Sequence, residues 1–455
     1  MLKTLSETCA SWGFSALETP VLEYADVLGK YLPDEERPDS GVFSIRENEQ
    51  WLALRYDLTA PLARYVAENY DSLSKPFRRY QYGPVFRNEK PDPGRFRQFM
   101  QFDADVVGAS APLADAELCA LAAKCMDNLG LEKKYLLHIS NRKLLDGLLE
   151  SIGIEKTSPN FAKQRLRVLR SIDKMERLGM DAVEQLLRKG RRDISGDVTQ
   201  GAGLSPESTK QVLVFVGDAL ENLEDSVGCT PSGAQGIEEL YEMRELILKF
   251  GVDDTAIVID PSIVRGLEYY TGPIFEIQLD GIDKSLKRFG SVGGGGRYDD
   301  LITRFKGTKI PAAGFSIGVS RLHTVLEAMK KPSTTKEKDI DVVVLLLDPA
   351  DKIEAVQMTQ ELREAGICAE VYLGSGKMRA QMRYADHRNA KLVIIQGKQE
   401  REHNEVSIRD LVLGKTLSDK IKKASAWKEG GMAQQTIPRN RLVAEVCKIL
   451  NSRNE

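Results

Sequence analysis

The stretch "FRNEKPDPGRFRQFMQFDAD", residues 86–105, sets Arg87, Arg95 and Arg97 close together and follows them with Gln101 and Asp105. Arginines in such a group can hold phosphate oxygens, because the guanidinium fork binds them bidentately and keeps its charge at any physiological pH. Read as a strand from Gln81 to Glu89, a loop through Pro91, Pro93 and Gly94, and a returning strand, the segment is a β-hairpin. Side chains alternate along a strand, so Arg95, Arg97, Gln101 and Asp105 share one face and Phe96, Met100, Phe102 and Val106 the other. The polar face then carries cations at one end and a carboxylate at the other. Surface ion pairing explains an isolated arginine-rich hairpin more simply, so the rest of the chain must decide.

Three further segments bear on that choice. "LRYDLTAPLARY" (54–65) brings Asp57 and Thr59 to the mouth of a helix, where capping is the simplest role for both. "RGLEYYTGPIFE" (265–276) leads into a strand with Arg265, Glu268, Tyr269 and Tyr270, a cluster too polar for ordinary core packing. "SVGGGGRYDDL" (291–301) contains four consecutive glycines, which weaken a strand and are tolerated where a backbone must approach a ligand closely.

The elements around these segments follow from periodicity and breakers. "LKTLSETCASWGF" is an amphipathic helix stopped at Gly13, and "ALETPVLEY" is an extended segment whose Pro20 suits an edge or interface. "LTAPLARYVAEN" reads as a helix with Thr59 at its N-cap and Pro61 in the first turn. The pattern is helical from 154 to 251, and strands return at "AIVID", "GPIFEIQL" and "GFSIGVS". "KKPSTTKEK" (330–338) reads as a solvated linker, and beyond it strand and helix patterns alternate. The predicted layout is a mostly antiparallel α+β core (1–153 and 252–329) around a helical insertion (154–251), a linker (330–338) and an α/β module (339–455). Neither GxxxxGK[ST] nor a GxGxxG after a strand occurs, so any ATP binding falls to arginines on a sheet.

Bulk properties exclude several classes. The chain has 455 residues and balances 64 Lys+Arg against 67 Asp+Glu, so nucleic-acid contacts must come from local patches. One such patch is Lys163, Arg165, Arg167, Arg170, Arg188, Lys189, Arg191 and Arg192, readable either as a solvated helical face or as a contact with a nucleic-acid backbone. No apolar run approaches the roughly 20 residues of a membrane span, and the N-terminus lacks the core of a signal peptide. Six cysteines without CxxC spacing point to free thiols in a reducing cytoplasm. Four histidines without ligand spacing give no expectation of a protein-held metal.

With these segments in view, the chain resembles the histidyl-tRNA synthetase family, which belongs to the class II synthetases built on an antiparallel sheet. "GFSALETPVLEYADVL" resembles the first motif of that class, residues 86–105 the second, and "AAGFSIGVSRL" the third, with its arginine at Arg321. "RGLEYYTG" and "GGGGRYDDL" resemble segments peculiar to the histidine enzymes, and the tail beyond Asp339 resembles their anticodon-binding domain. The resemblance implies a ligase that forms histidyl-adenylate from histidine and ATP and passes the histidine to the 3′ end of tRNA(His). It implies Arg87 and Arg265 at the α-phosphate, Arg265 also reaching the histidine carboxylate. Arg95 would take the distal phosphates, Arg321 the triphosphate from the other side, and Glu89 adenine or a metal. Asp57, Leu58, Thr59 and Gln101 would hold the α-amino group, and Asp105 and Tyr270 the imidazole, with Tyr269 in the same pocket.

Mg2+ is expected to arrive with ATP, and the assembly to be a cytoplasmic homodimer with no membrane contact. Ser320 stands where the family usually has an acidic residue, the loop "NEKPDPG" differs from the common bacterial form, and the family's usual upstream segment is expected to be short or missing. A non-catalytic synthetase paralogue that regulates ATP phosphoribosyltransferase is the alternative. Such proteins normally lack the tail and erode the arginines retained here.

Overall fold

The central hairpin forms as two ten-residue antiparallel strands, Phe77–Phe86 and Gln98–Val107, paired from Phe77↔Val107 to Phe86↔Gln98. The first strand therefore starts four residues before the predicted Gln81 and ends before Glu89. The structure, a computed structural model, describes residues 1–25, 41–88, 96–155, 158–192, 198–217, 220–264, 270–283, 290–329, 340–413 and 433–452. Among the segments singled out above, Glu89, Arg95, Arg265, Glu268, Tyr269 and the linker at 330–338 lie outside the described residues. The chain divides into two compact units, Met1–Lys331 and Pro332–Glu455.

In chain order the first unit begins with α1 (Leu2–Ser11), β1 (Ser15–Ala16), β2 (Leu22–Tyr24), β3 (Ser44–Glu47), β4 (Gln50–Leu54) and α2 (Thr59–Asn69). The hairpin strands β5 (Phe77–Phe86) and β6 (Gln98–Val107) follow, then α3 (Leu113–Asn128), β7 (Tyr135–Asn141) and α4 (Arg142–Ser151). The helical stretch contains α5 (Ala162–Ile172), α6 (Met175–Leu178), α7 (Met180–Leu187), a small hairpin β8 (Gly190–Arg192) with β9 (Val198–Gln200), α8 (Pro206–Gly217), α9 (Leu220–Val227) and α10 (Pro231–Lys249). The unit closes with β10 (Ile257–Ile259), β11 (Pro273–Leu279), β12 (Ser291–Arg297), α11 (Asp299–Lys306), β13 (Ala312–Ile317) and α12 (Val319–Met329). The hairpin β8–β9 is absent from the sequence reading, because three-residue strands carry too little alternation to register.

Eight strands form one sheet in the order β1-β5-β6-β13-β12-β11-β7-β10. Its five central pairings are antiparallel, and only the outer pairs β1/β5 and β7/β10 are parallel. One face is apolar: Phe102, Ala104 and Val106 of β6 join Phe275, Phe315 and the buried side of α3 in the main core. Tyr80 and Tyr82 of β5 stack on Phe102 at ring-centroid distances of 5.8 and 6.3 Å, so the alternation that makes the hairpin also anchors it. Buried residues of the helical stretch, such as Leu169, Val183, Phe215 and Leu240, belong to that same core.

The glycine run is the middle of β12, paired on both sides. A Cβ at Gly295 would lie 2.2 Å from the Gly314 carbonyl oxygen and 2.6 Å from Phe315 Cα. One at Gly296 would meet Tyr270 Cδ1 at 3.0 Å, and one at Gly314 would meet Asp105 Oδ1 at 2.0 Å. The close approach predicted for a ligand is thus taken up by neighbouring strands and by the side chains of Tyr270 and Asp105 lying against the sheet.

The second unit carries a five-stranded sheet in the order β15-β14-β16-β17-β18, with β14 (Val342–Val344), β15 (Ala369–Val371), β16 (Leu392–Ile395), β17 (Glu405–Asp410) and β18 (Gln434–Pro438). The run "VVV" of β14 buries both faces: Val342 and Val344 pack with Met358 and Val446, while Val343 packs with Ala385 and Val393. β14 pairs in parallel with β15 and β16, whereas β17 and β18 add antiparallel strands, so the sheet is mixed.

Candidate active site

The register of β5 and β6 sets Arg79 opposite Asp105, Gln81 opposite Asp103 and Gly83 opposite Gln101. Directly paired residues point to the same side of a sheet, so these polar groups share the face opposite the core. The next strands extend it: Gly314 and Ser316 of β13 pair with Asp105 and Asp103, and Gly296 and Gly294 of β12 pair with Gly314 and Ser316. Glu276 of β11, opposite Gly294, completes the row.

At the acidic end the carboxylates are buried and hydrogen-bonded. Asp105 is 1% exposed, accepts a hydrogen bond from the Tyr298 hydroxyl at Oδ1, and meets Arg79 Nη2 at 2.9 Å through Oδ2. Asp103, fully buried, accepts from Gln101 Nε2 at 2.9 Å, and Thr59 Oγ1 lies 3.4 Å from its other oxygen. Gln101 Nε2 also reaches Ser316 Oγ at 3.1 Å. Burial raises both carboxyls above the ordinary carboxylate range; Arg79 opposes that shift at each, and Asp105 adds to it at Asp103. Burial likewise pushes the Tyr270 phenol up, assisted by Asp103, Glu276, Asp105 and Asp57. That cluster of carboxyl groups around one tyrosine makes this the acidic end of the face.

Of the two capping groups expected at the start of α2, Asp57 serves and Thr59 does not. Thr59 is the first helical residue of α2 and not its cap. Asp57 Oδ1 accepts from the backbone N–H groups of Thr59 (3.0 Å) and Ala60 (2.9 Å) and so satisfies two of the helix's orphan donors. The Thr59 hydroxyl is thereby released toward Asp103. Both residues are common at helix starts, and the sequence alone does not say which one caps.

At the basic end Arg87 follows β5 directly. Its guanidinium carbon lies 4.4 Å from the Tyr56 ring centroid and 5.1 Å from that of Phe99, and its Nε is buried without a hydrogen-bond partner among the described residues. Its backbone N–H donates to the Arg97 carbonyl at 2.8 Å, which holds the mouth of the hairpin. Arg97 turns aside, over Phe43 at 4.6 Å and toward Asn88 at 2.5 Å. Arg321, on α12, donates to the Ser291 carbonyl at 2.8 Å. Ser320, where the family usually has an acidic residue, accepts from the Met100 backbone N–H at 2.9 Å and ties α12 to the returning strand. The structure therefore brings together Asp57, Leu58, Thr59, Gln101 and Asp105 at one end and places Arg87 near the other.

Sequence reasoning missed Arg79, Gln81, Asp103, Glu276 and Tyr298. Asp103 was within reach, since it lies two residues from both Gln101 and Asp105 on an alternating strand. Arg79 and Gln81 needed the hairpin register, which fixes partners more than twenty residues apart. Arg297, beside Tyr298, is 3% exposed and donates to Asp115 at 2.6 Å and 3.2 Å and to Asp299 at 3.1 Å, which anchors the turn that presents Tyr298. The basic patch needs one correction: Arg165 is buried and paired with Asp146 at 2.6 Å, so it supplies no surface charge.

Comparisons with known proteins agree on the family. A model described as histidyl-tRNA synthetase matches residues 1–322, and one described as anticodon binding domain matches residues 341–448. The histidine–tRNA ligase of Bartonella bacilliformis is 50% identical over 99% of this chain and 93% of its own length. That of Brucella ovis is 48% identical over 99% and 92%. Among solved structures, the histidyl-tRNA synthetase of Nostoc superposes with a TM-score of 0.71 at 27% identity, covering 98% of this chain and 94% of its own. An ATP phosphoribosyltransferase regulatory subunit/histidyl-tRNA synthetase from Bacillus halodurans shares the fold, with a TM-score of 0.64 at 20% identity over 84% and 90%.

Proposed function

The chain belongs to the histidyl-tRNA synthetase family and is a histidine–tRNA ligase, and from that premise we propose how one sheet face divides the chemistry. In activation an oxygen of the histidine carboxylate attacks the α-phosphorus of ATP, the bond to the β-phosphate breaks, and pyrophosphate leaves. A terminal ribose hydroxyl of tRNA(His) then attacks the adenylate carbonyl and releases AMP. Catalysis of the first step rests on alignment and on neutralising phosphate charge. Arg87 and Arg265 act at the α-phosphate, Arg95 at the distal phosphates, Arg321 on the triphosphate from the other side, and Glu89 at adenine or a metal. Asp57, the Leu58 backbone, Thr59 and Gln101 receive the α-ammonium, while Asp105 and Tyr270 pair the imidazole nitrogens and Tyr269 lines the same pocket.

The observation that carries this reading is the polarity of the face. Buried carboxylates with fixed partners stand at one end of β6, and an arginine clamped between two rings stands at the other. Tyr298 donates to Asp105 Oδ1, while Oδ2, 2.9 Å from Arg79 Nη2, is buried with no hydrogen-bond partner among the described residues, which leaves capacity for an imidazole N–H. Among the described residues no group of three His, Cys, Asp or Glu side chains could hold a metal ion, and Mg2+ enters with ATP, held by phosphate oxygens and water. The non-catalytic paralogue is not favoured, because the anticodon-binding match spans residues 341–448.

The same reading includes a cytoplasmic homodimer. The half-exposed Leu22, Tyr24 and Ile45 share one face of the sheet β2-β4-β3 and support self-association, as a cluster of large apolar side chains on a polar surface marks an interface. Six free cysteines suit a reducing compartment, and among the described residues no helix is long and apolar enough to cross a membrane. Exposed Lys163, Arg170, Arg188 and Lys189 support backbone contact with tRNA.

Truncation after Lys331 separates the two halves of the reaction. The shortened chain is expected to retain histidine-dependent ATP–pyrophosphate exchange and to lose most tRNA charging, with dimerisation checked alongside. Charging at the full-length rate would show that the second unit does not contribute to tRNA recognition.

A further inference from the structure

Arg79 is fully buried in β5, and among the described residues its hydrogen bonds and ion pair lead to the histidine end of the sheet, while its Nε has no partner there. Its Nη2 donates to the Leu58 carbonyl at 3.0 Å and lies 2.9 Å from Asp105 Oδ2, and its Nη1 donates to Gln81 Oε1 at 3.1 Å. Leu58 sits between Asp57 and Thr59, so one guanidinium joins the turn assigned to the α-ammonium to the carboxylate assigned to the imidazole. Gln81 in turn accepts from Thr19 Oγ1 at 3.1 Å, which braces the arginine from the far side. A buried ion pair of this kind adds little stability over a well-packed apolar pair of similar volume, so fold stability alone is a weak reason for the arrangement.

We propose that Arg79 is a positioning residue for histidine recognition: it fixes the separation of the two subsites and holds the Asp105 carboxyl in place as an acceptor for the ring. The inference rests on the assignment of Asp105 to histidine given above. Asp105 is faced by Arg79 from β5, Asp103 on its own strand, Tyr298 ahead of α11, Asp57 ahead of α2, and the Tyr270 phenol. Arg79 is the one of these that carries positive charge. Burial raises the Asp105 carboxyl and Arg79 opposes that rise, so removing the guanidinium moves protonation of Asp105 to higher pH. The acceptor form is then lost sooner as pH falls.

Arg79→Gln tests this in ATP–pyrophosphate exchange with histidine and ATP titrated separately across pH. The expected result is a histidine KM raised by at least about tenfold, the scale of one charged hydrogen bond, with the ATP KM within about twofold. The acid limb of kcat/KM for histidine should move to higher pH relative to wild type, a comparison in which titration of the substrate itself cancels. Arg79→Lys restores the charge but not the planar fork, so the acid limb should return toward wild type while the histidine KM stays raised. That variant carries the test if Arg79→Gln is recovered unfolded. Equal increases in both KM values, or a lower kcat with neither KM nor the acid limb changed, would mean a purely structural arginine and overturn the proposal. Asp105→Asn is run in parallel. If it leaves the histidine KM unchanged, the assignment of the pocket fails and the proposal with it. If it raises that KM while Arg79→Gln does not, the positioning role alone is refuted.

Discussion

Arg87→Ala is expected to slow single-turnover formation of histidyl-adenylate by about 100- to 1,000-fold, the typical loss when one preorganised transition-state donor is removed. The guanidinium is held between Tyr56 and Phe99, at 4.4 and 5.1 Å from their ring centroids, so little freedom remains to be lost when phosphate charge develops. Its Nε is buried without a partner among the described residues, which suits the proposed role of a donor kept for the substrate. Lysine at this position keeps the charge but neither fills the space between the rings nor binds bidentately, so Arg87→Lys should recover only a minor part of the rate. Rapid-quench measurement at saturating histidine and ATP reads the chemical step directly. A rate within about threefold of wild type would remove Arg87 from the chemical step, since such a factor is under 1 kcal/mol.

Asp105→Asn is expected to weaken histidine binding by roughly 2 kcal/mol, about 30-fold, the scale of a hydrogen bond to a charged acceptor, and to leave ATP affinity nearly unchanged. The amide keeps the shape but places an N–H where an acceptor is needed, so the pocket loses part of its means of rejecting apolar side chains. The substitution also leaves Arg79 without its buried counter-charge, so some stability is lost as well. Thermal unfolding of the variant separates that loss from binding, because stability affects the active fraction and not the ratio of the two KM values. Equal losses for histidine and ATP would assign Asp105 to support of the sheet.

The parts of the site legible in the sequence are those governed by short-range rules. Alternation along β6 placed Gln101 and Asp105 together and set Phe102 and Val106 on the core side. The mixed pattern of long helices and short strands gave the antiparallel core and the separate second unit. What escaped depends on register and burial. Arg79 carries no local signal of its place until its opposition to Asp105 is known, and Arg165 reads as part of a basic face until its pairing with Asp146 is known. The glycine run signalled close approach, but only the pairings of β12 show that Phe315, Tyr270 and adjacent backbone take that space. Ser320 departs from the family pattern, and the tertiary contact with the Met100 backbone gives it a role no local rule contains.

The most direct test of the whole account is ATP–pyrophosphate exchange by the full-length protein with each of the twenty amino acids in turn. A face with buried carboxylates at one end and a clamped arginine at the other is predicted to support exchange with histidine and with no other amino acid at comparable efficiency. Exchange with none of them, or equal exchange with an amino acid whose side chain carries no hydrogen-bonding group, would contradict it.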